Sequence, residues 1–275
     1  KTVLEDLGAG EIVFISRSGP DNYENLERHA DAQILVNATP VGMYPNTEVS
    51  PVDLNRLPNL EGVFDLIYNP ARTRLLLQAE ERGLCRANGL GMLVAQAKAA
   101  AERFLDTAIP DGRVEEITAQ MERETRNLLL IGMPGCGKTT VGRALARRLG
   151  RTLVDTDALV VQAAGCPIPE LFAREGEEAF RALEHRALCQ AGRASGTVIV
   201  TRRENWAPMR ENSTVIFLRR PLDQLPLDGR PVSQTTPLEE LYAKRLPLYE
   251  QTADLTVDND RVDRAADEII RRLKL

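Results

Sequence analysis

A chain of 275 residues, 43% hydrophobic and 27% charged, has the make-up of a soluble globular protein and room for two domains. Its formal net charge of -5 offers no basic footprint for nucleic acid or an anionic membrane surface, and no apolar run is long enough to span a bilayer. Cys85, Cys136, Cys166 and Cys189 form no CxxC pair and His29 and His185 are the only histidines, which argues against a zinc site, a disulfide framework or a Ser-His-Asp triad; with no signal peptide at the start, the expected location is cytoplasmic.

Lys1 to Leu7 reads as the end of a helix closed by Gly8 and Gly10, followed by a buried strand at Glu11–Ser16. Ala32–Asn37 and Gly62–Tyr68 are two further strands, with helices at Arg74–Arg82, stopped by Gly83, and at Gly91–Asp106. Alternating strands and helices predict a doubly wound parallel sheet, whose ligands sit beyond the carboxyl ends of the strands. Ser16-Arg17-Ser18 and Asn37-Ala38-Thr39-Pro40 fall at such ends. An arginine after the second strand suits the 2′-phosphate of NADP, where an acid would suit the 2′-hydroxyl of NAD; a solvated loop arginine is the competing reading.

Asn37-Ala38-Thr39-Pro40-Val41-Gly42-Met43, Asp65-Leu66-Ile67-Tyr68-Asn69-Pro70 with Thr73, and Asn88-Gly89-Leu90-Gly91-Met92-Leu93-Val94-Ala95-Gln96-Ala97 resemble the NADP-binding domain of shikimate dehydrogenase. The resemblance implies that Ser16, Arg17 and Ser18 hold the adenosine 2′-phosphate, that Asn37, Thr39 and Ile67 line the nicotinamide side, and that Tyr68 and Gln96 reach toward shikimate. The family's substrate domain, first strand and glycine-rich pyrophosphate loop have no counterpart in these residues. The expectation is therefore a piece of a longer protein, because this half as it stands cannot be a working dehydrogenase.

Ile109-Pro110-Asp111-Gly112 is a turn, and Val114–Arg126 reads as a connecting helix. The expected organisation is an NADP-binding domain over residues 1–107, a linker helix over 108–126 and a second domain over 127–275.

Asn127–Ile131 is an apolar strand, and Gly132-Met133-Pro134-Gly135-Cys136-Gly137-Lys138-Thr139 fits G-x-x-x-x-G-K-[ST] ahead of a helix at Val141–Leu149 that Gly150 stops. Strand, glycine loop and helix N-terminus let backbone N–H groups surround a phosphate. Gly132, Gly135, Cys136, Gly137, Lys138, Thr139 and Thr140 are the expected ATP-binding residues, with Lys138 at the β/γ-phosphates and the Thr139 hydroxyl on Mg²⁺. Thr152–Asp157 reads as a strand ending in two carboxylates, Asp155 and Asp157, placed for metal and base work. Gly176 opens a helix that buries Phe180, Leu183 and Leu188 and carries Arg181, which faces either a site or solvent. Thr197–Thr201 is a strand, Asp228–Pro231 a basic turn, and Pro247 predicts a kink or break in the helix from Leu238. Leu255–Asp258 is a last strand and Val262–Leu275 a closing helix.

In order, these motifs (phosphate loop, Asp-Thr-Asp, Gly-Glu-x-x-Phe-Arg, Arg-Pro, Arg-x-Pro-Leu-Tyr) resemble shikimate kinase over Asn127–Leu275. The resemblance implies transfer of the ATP γ-phosphoryl group to the shikimate 3-hydroxyl. It makes Asp155 a holder of Mg²⁺ and Asp157 the base that binds the substrate hydroxyls. Arg181 and Arg245 would clamp the carboxylate, and Arg230 would stabilise charge on the transferred group. The family's Gly-Gly-Gly loop belongs between Thr201 and Arg202, where none stands; an unrecorded mobile loop is expected rather than a deletion, which predicts a break in the chain at that junction.

The fold class expected is thus two doubly wound parallel-sheet domains, a partial Rossmann-like NADP-binding domain followed by a phosphate-loop small-molecule kinase. The function expected is one bifunctional enzyme reducing 3-dehydroshikimate and phosphorylating shikimate, with small molecules as partners and the oligomeric state open. Two other readings fit the loop: another small-molecule kinase of the class, or a non-catalytic nucleotide-binding scaffold.

Overall fold

The computed structural model describes residues 2–201, 207–225 and 238–275. The chain divides into two compact units, Lys1–Leu93 and Val94–Leu275. Among the described residues no helix is long and apolar enough to cross a membrane. The Thr201–Arg202 junction and Arg230 lie outside the described residues.

In the first unit, α1 (Thr2–Asp6) is followed by β1 (Ile34–Asn37), β2 (Gly62–Asp65), α2 (Arg74–Glu81), β3 (Cys85–Ala87) and the start of α3 (Leu90–Leu105). The strands form a parallel sheet in the order β1-β2-β3, with Asn37 opposite Asp65 and Gly62 opposite Cys85. Side chains alternate across a strand. Val63 therefore joins Leu26, Leu54, Leu57, Leu75 and Leu76 in a buried cluster with Leu35 packed against it, while Ile34, Val36 and Phe64 are exposed. The strand expected at Glu11–Ser16 does not form; only an isolated bridge, Ser16 with Asn22, is present. Strand backbone needs a laddered neighbour. The neighbour this segment would have in a dinucleotide fold is the first strand, which these residues lack.

In the second unit, α4 (Gly112–Thr125) leads into β4 (Asn127–Ile131), α5 (Lys138–Leu149), β5 (Leu153–Asp155), α6 (Thr156–Ala164) and α7 (Ile168–Arg193). These are followed by β6 (Val198–Val200), α8 (Ala207–Arg210), β7 (Ser213–Arg219), α9 (Leu238–Thr252), β8 (Leu255–Asp258) and α10 (Val262–Leu273). The five strands are parallel in the order β5-β6-β4-β7-β8. The chain starts in the middle, crosses to one side and returns to the other, so the order reverses beside β4, where ligands bind in such sheets. Every residue of β4 is buried, as its unbroken apolar sequence requires of a strand covered on both faces.

Two expectations change. Asp157 is not on the strand: β5 ends at Asp155, whose Oδ1 accepts from the Asp157 backbone N–H at 3.1 Å and so caps α6. Gly176 takes φ +79° at a kink within α7, and a second helical stretch begins there as expected. No break occurs at Pro247, and α9 runs through it while Tyr249 stacks on Phe217 of β7 at 5.1 Å.

The helix expected to link the halves is stitched to the second unit. The Arg151 guanidinium donates to the Arg123 and Arg126 carbonyls at 2.6 and 3.0 Å, and the Gly196 N–H donates to Thr125 O at 2.7 Å. A side chain on Gly196 would meet the Glu124 carbonyl at 2.6 Å, so only glycine lets this turn close over the end of α4.

Gly142 seats α5 on the sheet: a Cβ there would lie 2.9 Å from Val200 Cγ2 and 3.0 Å from Leu153 Cδ1. Gly142→Val should cost about 1–3 kcal/mol by overpacking, read as a lower denaturant midpoint at unchanged slope.

Candidate functional site

Gly132 leaves β4 at φ +142°, and a Cβ there would lie 2.6 Å from the Leu218 carbonyl of β7. Gly135 and Gly137 also take positive φ, at +81° and +92°, so the loop turns on backbone shapes that other residues rarely adopt. The Lys138 side chain, 5% exposed, folds back over the loop and donates from Nζ to the Gly132 and Met133 carbonyls at 2.8 and 2.9 Å, with Cys136 Sγ 3.9 Å away. The ammonium is thus held over the concave face of the loop, at the start of α5, where the helix favours an anion. Thr139 is half-buried in the first turn of α5 and Thr140 is exposed beside it.

Strand registers place the carboxylates. Asp155 pairs with Val200, and Val200 with Leu130, so the ends of β5, β6 and β4 lie in one row. Gly132 and Asp157 each stand two residues beyond that row, Gly132 at the start of the loop and Asp157 in the first turn of α6. Thr156, buried, donates to Thr201 Oγ1 at 3.2 Å and fastens the start of α6 to the end of β6.

Asn259, just past β8, was not singled out by sequence. It is 3% exposed, and its Nδ2 donates to Cys136 O at 2.6 Å. Its separation of 123 residues from the loop explains why no local pattern reveals it. The putting-together of the arginines is partial. Arg181 is 59% exposed at its side chain and pairs with Glu184 at 3.1 Å and Glu177 at 3.2 Å on its own helix, which raise its pKa in that order. Arg245 is half-buried on α9.

The shikimate kinase family model matches residues 134–274, just over half of the chain. The chain belongs to the shikimate kinase family. A shikimate kinase of Synechococcus sp. (strain CC9605) is 42% identical over 166 residues, covering 54% of this chain and 82% of that protein. The solved structure of shikimate kinase from Acinetobacter baumannii in complex with shikimate superposes with a TM-score of 0.50 at 30% identity, over 57% of this chain and 97% of that one. The chain is also similar to shikimate dehydrogenase 1 of Peptoclostridium difficile, with 35% identity over 43% of this chain and a TM-score of 0.40; the matched part is 48% of that protein.

In the first unit the first two motifs meet at the carboxyl end of the sheet around Asp65, a buried carboxylate, while Asn88 of the third donates to the Ala71 carbonyl at 2.9 Å. Asp65 accepts from Thr73 Oγ1 at 2.6 Å, Asn37 Nδ2 at 3.0 Å and the Ile67 N–H at 3.1 Å. Asn37 Oδ1 in turn accepts from the Thr39 N–H and hydroxyl, at 3.0 and 2.8 Å. Gly89 is required because a Cβ would lie 2.0 Å from the Leu66 carbonyl. Asn37, Thr39 and Ile67 are therefore brought together, with Asp65 as a hub to which sequence reading gave no role. Ser16, Arg17 and Ser18 lie exposed on a turn closed by the Ser16 N–H to Asp21 O bond of 3.2 Å. Tyr68 is exposed at the same sheet end and Gln96 is exposed on α3.

Burial raises the Asp65 carboxyl above its ordinary 3.8, against the three hydrogen bonds that lower it. The folded form then holds the proton more tightly than the unfolded one. Stability of the first unit should fall as pH rises from about 3.8 through the folded value, and this component should vanish in Asp65→Asn when denaturant midpoints are followed against pH. Thr73→Ala removes both the bond to Asp65 and the cap on the Leu76 N–H, and should cost about 1–3 kcal/mol in the same measurement.

Proposed function

We propose that the second unit transfers the γ-phosphoryl group of ATP to the 3-hydroxyl of shikimate, and that the first unit is the NADP-binding part of a dehydrogenase that forms shikimate from 3-dehydroshikimate. The observation that carries the kinase reading is a phosphate loop with a buried, inward-folded Lys138 at the switch point of the sheet, with Asp157 on the same edge.

Phosphoryl transfer asks the protein for positioning and charge neutralisation. The loop N–H groups and the Lys138 ammonium receive the β- and γ-phosphoryl oxygens. Asp157, held at the first turn of α6 by its N–H bond to Asp155, accepts the proton of the attacking hydroxyl. Mg²⁺ suits the hard oxygens of Thr139 Oγ1 and of Asp155, whose Oδ1 is committed to the cap and whose Oδ2 has no partner among the described residues. When bound it would offset the charge of the phosphoryl oxygens. Arg181 and Arg245 serve the acceptor carboxylate, with Arg181 exchanging its helix acids for it, and Arg230 serves the transferred group.

In the first unit, Ser16, Arg17 and Ser18 would hold the 2′-phosphate of NADP. Asn37, Thr39 and Ile67, braced by Asp65, would bound the nicotinamide side, with Tyr68 for shikimate. The chemistry that NADP supplies is hydride transfer.

A coupled assay across hydroxy acids, gluconate and nucleoside monophosphates should show ATP consumption with shikimate alone. Asp157→Asn should lower kcat by 10²-fold or more while ADP affinity is kept. ATP binding with no acceptor-dependent turnover would instead support a scaffold. For the first unit, NADP⁺ should bind more tightly than NAD⁺ in equilibrium titration, and Arg17→Ala should abolish that preference.

A further inference from the structure

The hydrogen bond from Asn259 to the phosphate loop has a directional consequence. A trans peptide is planar, with its C=O and N–H pointing in opposite directions. The Cys136–Gly137 peptide has its carbonyl drawn toward Asn259 Nδ2 at 2.6 Å, so the Gly137 N–H is turned the other way, away from Asn259. Asn259 has little freedom of its own. It is 3% exposed, its backbone N–H donates to the Arg219 carbonyl at 2.8 Å, and a Cβ on Gly137 would come within 2.5 Å of its Nδ2. The strand ends beneath it are clamped by Arg219 and Asp258, paired through Nε–Oδ1 at 2.6 Å and Nη2–Oδ2 at 3.0 Å.

We propose that Asn259 is a positioning residue for nucleotide binding: the last strand of the sheet, through this amide, sets the direction of the Gly137 N–H toward the phosphate. The proposal rests on the ATP-binding reading of the loop and extends it to a residue outside the motif. It requires a donor at this position. Aspartate has the same shape but turns an acceptor against the Cys136 carbonyl, and alanine leaves that carbonyl with nothing to hold it.

The test is ADP affinity by calorimetry with Mg²⁺, alongside KM for ATP and for shikimate, in the parent protein, Asn259→Asp and Asn259→Ala. Both variants should bind ADP about tenfold more weakly and show a matching rise in KM for ATP, with KM for shikimate within about twofold of the parent. If Asn259→Asp does not fold, Asn259→Ala decides alone. ADP affinity within about twofold of the parent in a folded variant overturns the proposal. So does a rise in both KM values together, which marks a general loss of structure. Because ADP binding needs no acceptor, a parent protein that binds ADP and ignores shikimate defeats the kinase reading while the ADP affinities still decide the role of Asn259.

Discussion

Strand β4 is hydrogen-bonded on both edges and covered on both faces, and the site depends on that enclosure. Its ladders to β6 and β7 fix the height at which Ile131 ends, so Gly132 begins directly against the Leu218 carbonyl and the chain must turn there. The same ladders set Asp155 level with Leu130 across β6. The spacing between the phosphate loop and the carboxylates is therefore inherited from strand register, and contacts among the site residues only refine it. A rigid interior is suited to this, since packed cores do not deform continuously.

The sheet of the first unit shows what happens without such enclosure. Its inward residues Leu35 and Val63 join a core, while Ile34, Val36 and Phe64 on the other face stay exposed. The segment 11–15 has an apolar sequence suited to a strand and yet stays outside the ladder. Sequence preference makes a segment competent for a sheet; hydrogen-bonding partners decide whether it enters one.

What could be read from residues alone follows from how local each cause is. The loop was legible because its glycines, lysine and threonine are consecutive and each answers a local need: positive φ, close approach, an anion at a helix start. Asn37, Thr39 and Ile67 were legible within contiguous motifs. Asp65 stood in one of those motifs, but its role as hub depends on a strand pairing 28 residues apart. Asp155 was read as a strand-end acid and is one, but it also caps α6, whereas Asp157, read as part of the same strand, falls in the first turn of that helix. Asn259 could not be found at all, since the fold alone brings it to the loop. At Pro247 a kink or break was expected and the helix is not broken: the cost of a proline in a helix is local, whereas the packing around Tyr249 that accompanies α9 is not.

Helix α4 occupies the place of a spacer and does not behave as one. Its last carbonyls are held by Arg151, from the end of α5, and by the turn at Gly196 that feeds β6, so it shares the foundations of the strand that carries the phosphate loop. A joint of this kind cannot be lengthened, shortened or exchanged as inert cord between two enzymes. A change in the length of this helix would be felt at Arg151 and at the turn of Gly196, inside the kinase unit itself.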